Sequence, residues 1–479
     1  MTNRTVLAVD LGAESGRVMA AHFDGDTIRM EEVHRFPNSA IILNGTRYWN
    51  FLGLWSHIQQ GIHKGLAQHP ASIGVDTWAV DFGLLDRDGN LLGNVVQYRD
   101  ARTDGMMDAV FKRVPKADVF AQTGIQFMQI NTLYQLMSLV ENHSPLLDVS
   151  ETFLTVPDLL NFWLTGEKVC EFSNATTTQL YDPVKGDWAD DLMARLDIPR
   201  KIFPAIVMPG TRLGSYEGVP VIAPATHDTG SAVAGVPASN GNYAYLSSGT
   251  WSLFGLETQQ PTINAAALAA NVTNEGGVYG TFRLLKNVMG LWLLQQCRAT
   301  WAEQDEDYDY GALTEMAKSA PALVSLIDPD NPVFLPPGDH PAHVRDLCKR
   351  SRQPVPESKG AVVRCILESL AIKYRYVLDK LIGLSGQTVD VIHIIGGGSQ
   401  NQLLCQMTAD ATGRLVLAGP VEATALGNAL VQFITLGDLS NIAEARAVVA
   451  RSSQLARYEP QQPGLWNDAY ERFLSLWAL

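Results

Sequence analysis

The sequence has no surplus of positive charge: 36 Lys and Arg stand against 50 Asp and Glu, a formal net charge of −14. Binding a nucleic-acid backbone relies on clustered Lys and Arg, and without such a cluster no nucleic-acid partner is expected. Cysteine is scarce. Cys170, Cys297, Cys348, Cys365 and Cys405 are odd in number and widely spaced, with no C-x-x-C pair and no metal-ligand rhythm, so they read as reduced, mostly buried thiols. Zinc-type spacing is absent among the histidines too. No apolar run is long enough to span a bilayer, and the chain enters a short strand at Thr5 without an apolar leader. No membrane association is expected, and the cytoplasm is the expected compartment. Nor is there a G-x-x-x-x-G-K-[ST] loop, which sets P-loop kinases aside.

What is present is apolar mass enough for sizeable cores. Of 479 residues 46% are hydrophobic and 18% charged, the balance of a soluble globular protein, and the length suggests two to four domains, two large ones being the simplest division. The apolar run Thr5 to Asp10, the polar, glycine-bearing turn Leu11 to Gly16 and the extended Arg17 to Ala20 predict a β-hairpin. Trp55, Ile58, Ile62 and Leu66 follow at helical spacing, then the strand Ile73 to Asp76, then a tight hairpin turn at Asp88-Gly89 within Leu84 to Leu92. Beyond residue 240 the opening returns in outline: Tyr243 to Ser247 extended, Ser248-Gly249-Thr250 a polar turn, Trp251 to Gly255 extended again. A helix over Ala361 to Ile382 leads to the apolar strand Val389 to Ile395, which breaks at Gly396-Gly397-Gly398. The pattern is α/β and duplicated. The Gly/Pro/Asn punctuation at 235–242 marks the restart, dividing the chain into 1–238 and 239–479, and two such domains facing each other would form a central cleft.

Four polar motifs stand at strand ends. In Asp10-Leu11-Gly12-Ala13-Glu14-Ser15-Gly16-Arg17 a strand delivers a carboxylate, the turn presents backbone N–H groups and a cation follows. That set suits a phosphate chain with its metal, although an ordinary surface hairpin reads the same. In Ala225-Thr226-His227-Asp228-Thr229-Gly230-Ser231-Ala232 a strand runs into a polar helix start. Phosphoryl transfer to an alcohol needs a carboxylate able to take the hydroxyl proton, and Asp228 is the candidate base; the alternative is a helix cap by Asp228 or Thr229. Leu246 to Trp251 reads as a second phosphate hairpin or a tight turn. The triple glycine lets a flat ligand or phosphate lie on backbone, or serves only a strand-to-helix connection at positive φ. Trp78 and Asp81 suit a polyol wall, with Trp78 read more simply as core. Asn287 offers a hydroxyl partner or a turn, and His227 is the histidine with suggestive neighbours.

In this order the motifs resemble those of the FGGY carbohydrate kinases, members of the actin, sugar kinase and heat-shock chaperone superfamily, over essentially the whole chain. Gly124 to Phe127, Asn131 to Leu136, Asn174 to Leu180 and Lys286 to Gln295 are similar to the branch of that family that acts on L-rhamnulose. The resemblance implies two ribonuclease-H-like domains of the actin-like ATPase superfamily around a cleft, with the sugar and phosphate side on 1–238 and the nucleotide side on 239–479. It implies ATP-dependent phosphorylation of L-rhamnulose at the 1-hydroxyl, giving L-rhamnulose 1-phosphate and ADP in L-rhamnose catabolism, with Mg²⁺ as cofactor. By the same resemblance Ala13, Glu14, Ser15, Gly16 and Arg17 meet the nucleotide phosphates, and Thr250, Gln295 and Gly397 line the rest of the ATP site. Ala79 through its backbone, His227, Asp228, Thr229 and Asn287 contact the ketose, Asp228 accepts the proton, and Asp10 holds the metal through water. Two positions depart from the pattern: Ala79 stands where Gly is usual, and Glu14 where a small polar residue is common. The alternatives are a kinase for L-fuculose or an autoinducer precursor and, in another class, an actin-like nucleotide switch or a sugar-sensing pseudokinase.

Overall fold

Short apolar strands build two large sheets, beside four two-stranded ones among the described residues, in the computed structural model, which describes residues 3–239 and 241–477. Asn240, within the punctuated stretch, and the chain ends of the expected domain ranges lie outside the described residues. Strands β1 (Arg4–Leu11), β2 (Ser15–Phe23), β3 (Ile28–Pro37), β4 (Ile73–Thr77), β5 (Arg212–Tyr216) and β6 (Val219–Ile222) form the first sheet, in the order β5-β6-β4-β1-β2-β3. β1 is antiparallel to β2 and parallel to β4, and is buried from Val6 to Leu11, as a strand covered on both faces is.

Strands β7 (Tyr243–Ser248), β8 (Trp251–Thr258), β9 (Thr273–Gly276), β10 (Phe282–Met289), β11 (Val391–Ile395), β12 (Leu415–Ala418) and β13 (Ala456–Tyr458) form the second, in the order β9-β10-β8-β7-β11-β12-β13. β7 is antiparallel to β8 and parallel to β11. A hairpin whose first strand is flanked by a parallel strand thus occurs twice, the ribonuclease-H-like arrangement duplicated.

Four helices bear on the sites: α1 (Asp228–Ala234), α2 (Trp292–Ala302), α3 (Lys359–Ser385) and α4 (Ala423–Leu436). α3 runs beyond its predicted ends because Ser358 caps it by accepting from Ala361 N and Gly386, at φ 68°, stops it. The Asp88-Gly89 turn forms, with Gly89 at φ 84°, yet the predicted hairpin is reduced to one bridge between Leu85 and Leu91. Asp86 draws the loop closed by accepting from Asp88 N and Asn90 N, and Phe82–Leu85 takes Thr152–Thr155 as its regular partner.

Two compact units divide the chain. The first comprises Met1–Ser239, Glu257–Leu285 and Glu422–Ser453; the second comprises Asn240–Leu256, Lys286–Val421 and Gln454–Leu479. The change of half expected between residues 238 and 239 falls beside the end of the first stretch, but the first unit also takes in two later stretches. α4 belongs with β1 and β4 because a buried polar ladder seats it there: Ser72 Oγ donates to Gln432 Oε1 at 2.7 Å, and Gln432 Nε2 donates to Leu7 O at 3.0 Å and Asn428 Oδ1 at 2.7 Å. Around the ladder Val6, Phe23, Leu430 and Phe433 form an apolar core. Gly427 lets α4 approach α1, since a Cβ there would stand 1.7 Å from Ser231 O. All five cysteines are free and buried. No helix among the described residues is long and apolar enough to cross a membrane.

Candidate active site

In the first unit the hairpin register sets Asp10 opposite Arg17, and the parallel register sets Asp10 beside Asp76. Arg17 donates to Asp10 Oδ2 from Nε at 3.0 Å and Nη2 at 2.9 Å, and its Nη1 pairs with Glu422. The turn between the strands is pinned at both ends by Asn38, whose N–H donates to Glu14 O and whose Nδ2 donates to Gly12 O, both at 2.9 Å. Ala13 is half-buried and Glu14 is exposed, so the departure at Glu14 crowds no packed group. Gly16 has a packing reason: a Cβ would lie 2.3 Å from Phe36 Cε2.

Backbone links then gather the second motif. Trp78 N donates to Leu11 O at 3.1 Å, Thr77 N donates to Thr226 O at 2.9 Å, and Thr77 bridges His227 in parallel. Ala79, two residues past that bridge, therefore stands near both the first hairpin and His227. His227 occupies the cap position of α1 without a side-chain capping bond, and Asp228 is the first helical residue. Asp228 also engages the backbone N–H of Thr229 in the first turn, so a helix-start role stands beside its candidacy as base. Its Oδ1 accepts from Thr229 Oγ1 at 3.1 Å and lies 3.4 Å from His227 Nε2, while the side chain remains 27% exposed.

Glu171, fully buried, holds this segment from behind. Its Oε2 accepts from Thr226 N at 2.9 Å and Thr226 Oγ1 at 2.8 Å, and Ser173, bound to the same carboxylate, accepts from His227 N at 3.1 Å. Burial raises the Asp228 carboxyl above its ordinary value, His227 opposing and Asp10 adding to the rise. Burial raises Asp76 well above the carboxylate range, Asp10 adding and the hydrogen bond from Asn428 opposing. Asp76 Oδ2 accepts from Asn428 Nδ2 at 2.6 Å, and Oδ1 is buried with no hydrogen-bond partner among the described residues. Asp10 and Asp76, side by side in the parallel register, are hard oxygen donors, the kind that meets a divalent cation through water. Among the described residues no group of three or more His, Cys, Asp or Glu could hold a metal ion.

The second unit joins the third and fourth motifs. Gly290 N and Trp292 N donate to Thr250 O, and Leu291 N to Gly249 O, so the start of α2 grips the β7–β8 turn; Gln295 Nε2 reaches Thr250 Oγ1 at 3.2 Å. Gly396 has φ 81°, and a Cβ on Gly398 would stand 2.0 Å from Ser248 Oγ, so the triple glycine lies directly against the hairpin. Gly397 is exposed with nothing within 4 Å of an added Cβ. Thr250, Gln295 and Gly397 thus share one unit. Asn287 belongs to it too, half-buried on β10.

Trp78 is core, 5% exposed, its ring 4.3 Å from that of Trp49. Both indoles donate to Asp81 Oδ2, Trp49 at 2.6 Å and Trp78 at 3.0 Å, and Gln135 Nε2 donates to Oδ1 at 3.0 Å. Burial, opposed by these bonds, pushes Asp81 from 3.8 up to about 6. The folded state therefore holds this proton more tightly than the unfolded chain. Stability is fullest where Asp81 is protonated and declines as pH rises from about 4 to about 6, by on the order of 3 kcal/mol. Asp81→Asn cannot ionise, so whatever constant cost its amide brings, this pH-dependent loss is expected to vanish in urea melts at pH 4 and 7. Parallel losses in the two proteins would remove Asp81 as the source.

Glu171, Ser173, Asn38 and Asn428 were not singled out from the sequence, because each acts on a residue far along the chain. The one available signal was the polar string around Asn174.

Residues 5–235 match the model of the N-terminal domain of the FGGY family of carbohydrate kinases, and residues 244–436 match that of its C-terminal domain. The rhamnulokinase of Bacteroides thetaiotaomicron is 45% identical over 97% of this chain and 98% of its own. The rhamnulokinase of Pectobacterium atrosepticum is 43% identical over 99% and 97%. Among solved structures, ligand-bound xylulose kinase from Lactobacillus acidophilus covers 99% of this chain and 97% of its own with a TM-score of 0.81 at 16% identity. Plasmodium falciparum glycerol kinase with ADP gives 0.76 at 15% identity over 99% and 97%. At those identities the structural likeness speaks for the fold.

Proposed function

Because the chain belongs to the FGGY family of carbohydrate kinases, we propose that it transfers the γ-phosphate of ATP to the 1-hydroxyl of L-rhamnulose, giving L-rhamnulose 1-phosphate and ADP, as a cytoplasmic rhamnulokinase of L-rhamnose catabolism. The observation that carries the reading is the placement of Asp228: a partly exposed carboxylate, raised by burial, between His227 and Thr229, in a chain 45% identical to a rhamnulokinase.

In this reading residues 1–238 carry the sugar and phosphate side and residues 239–479 the nucleotide side. Ala79 through its backbone, His227, Thr229 and Asn287 orient the ketose. Asp228 takes the proton of the attacking hydroxyl, for which a raised carboxyl is the better acceptor. Backbone N–H groups from Ala13 to Gly16, with Arg17, bind the phosphates, while Thr250, Gln295 and Gly397 hold the rest of the nucleotide. Mg²⁺, held by Asp10 through water, neutralises phosphate charge when bound.

The test is ADP release with Mg·ATP over L-rhamnulose, L-fuculose, L-ribulose, D-xylulose, glycerol and buffer alone. The highest kcat/KM is expected for L-rhamnulose, with NMR placing the product phosphate on C1. Equal ADP release across the panel, buffer included, would overturn the reading.

A further inference from the structure

The polar chain behind Asp228 continues past His227 into a buried ion pair. His227 Nδ1 lies 3.0 Å from Arg283 Nη2 and 3.3 Å from Glu275 Oε2, while Nε2 faces Asp228 Oδ1 at 3.4 Å. Glu275 on β9 and Arg283 on β10 are partners in register, with Nη2 and Oε2 3.2 Å apart, and Arg283 Nε also donates to Gly276 O at 2.9 Å. The cluster is closed to solvent: Arg283 is 0%, Glu275 4% and His227 5% exposed.

A guanidinium has donors and no acceptor. Arg283 Nη2 is the nearer group at Nδ1, so Nδ1 presents its lone pair and the ring proton sits on Nε2, toward Asp228. We propose that Arg283 is a positioning residue of the phosphoryl transfer, holding the His227 ring proton on Nε2. His227 then directs its proton to Asp228 Oδ1, which Thr229 also engages, and Oδ2 is the oxygen that meets the sugar hydroxyl. The 3.4 Å contact is long, as catalytic contacts often are before substrate is in place. The proposal rests on Asp228 being the base.

Glu275 pulls the other way. With Arg283 removed, the Glu275 carboxylate is the acceptor left at Nδ1, 3.3 Å away, and would draw the ring proton there, away from Asp228. Asp228 Oδ1 would then face a ring lone pair in place of a donor, and Oδ2 would lose its fixed direction toward the sugar hydroxyl. Arg283 prevents this both by occupying Nδ1 and by balancing the charge of Glu275. Its Nη1 is buried with no hydrogen-bond partner among the described residues, an expensive state for a guanidinium whose role is packing alone.

The ¹⁵N spectrum of the His227 ring, recorded at pH 7 on the sugar-free full chain and assigned with His227→Gln, reads the tautomer directly. The wild-type protein is expected to carry its proton on Nε2 alone, and a spectrum with the proton on Nδ1, or of an imidazolium, would overturn the proposal without any variant having to fold. Arg283→Lys, also a donor-only cation, is expected to keep the proton on Nε2. Arg283→Met is expected to move the proton to Nδ1 and to lower kcat by about 10- to 100-fold at an unchanged KM for ATP. Lost turnover in Arg283→Met with an unaltered His227 spectrum would mark Arg283 as merely structural and overturn the proposal as well. The spectrum is independent of the Asp228 assignment, which fails separately if Asp228→Asn keeps full turnover.

Discussion

Asp228→Asn is expected to lower ketose-dependent kcat by about 10²- to 10⁴-fold, the range of general-base catalysis, with KM for ATP close to that of the wild type. The amide is isosteric and retains an oxygen to accept from Thr229 Oγ1, now at 3.1 Å, so the loss isolates proton acceptance. The amide oxygen can also keep the contact with Thr229 N, and little change in unfolding midpoint should accompany the fall. The pH dependence follows from the raised carboxyl. The base acts deprotonated, so kcat should climb with pH through a limb above the ordinary carboxylate range, and the variant should lack that limb. A loss beyond about 10⁴-fold would add phosphate or metal positioning to the role of Asp228, because Asp10 lies close enough to raise its carboxyl. Wild-type turnover in the variant would remove Asp228 as the base.

The second large effect is expected from a residue outside every motif. Glu171→Ala should cost about 2–5 kcal/mol of stability, read by urea denaturation, together with most of the turnover. Glu171 accepts from Thr226 N, Thr226 Oγ1, Ser173 N and Ser173 Oγ, all buried. Alanine leaves these donors without an acceptor in a space too closed for easy repair. Because Ser173 Oγ in turn receives His227 N, the backbone that presents His227 and Asp228 loses its anchor with them. Glu171→Gln keeps one oxygen acceptor and should lose less on both measures. Unchanged stability and turnover in the alanine variant would show that the 226–228 segment is held by its strand and helix alone.

These expectations divide by sequence distance. The hairpin tips at 12–14 and 249–250 were readable because a turn is a contest among neighbours: apolar residues on either side, glycine and small polar residues between. The strand into Gly396 and the helix Lys359–Ser385 were readable for the same reason, although the Ser358 cap carried the helix past its predicted start. The Asp88-Gly89 turn was legible, yet its hairpin was not, since the choice of Thr152–Thr155 as partner strand is made by packing. Asn38 acts across 26 residues, Glu171 across 55, Arg283 across 56 and Asn428 across 352, and no local pattern names such partners.

Strand ends, tight turns and their chemistry are local properties, and with them the positions of Asp10, Asp228, Thr250 and Gly397 follow from the chain as written. What those groups do to one another is a property of register and burial. Asp10 stands beside Asp76 because β1 and β4 pair in parallel, and the Asp76 and Asp228 carboxyls are raised above their ordinary values because packing removes water from around them. His227 points a proton toward Asp228 because β9 and β10 set Glu275 and Arg283 behind it. Periodicity says which face of an element is covered; the identity of what covers it is settled only when distant segments meet, since hydrogen bonds and desolvation act over a few ångströms of space regardless of how many residues lie between.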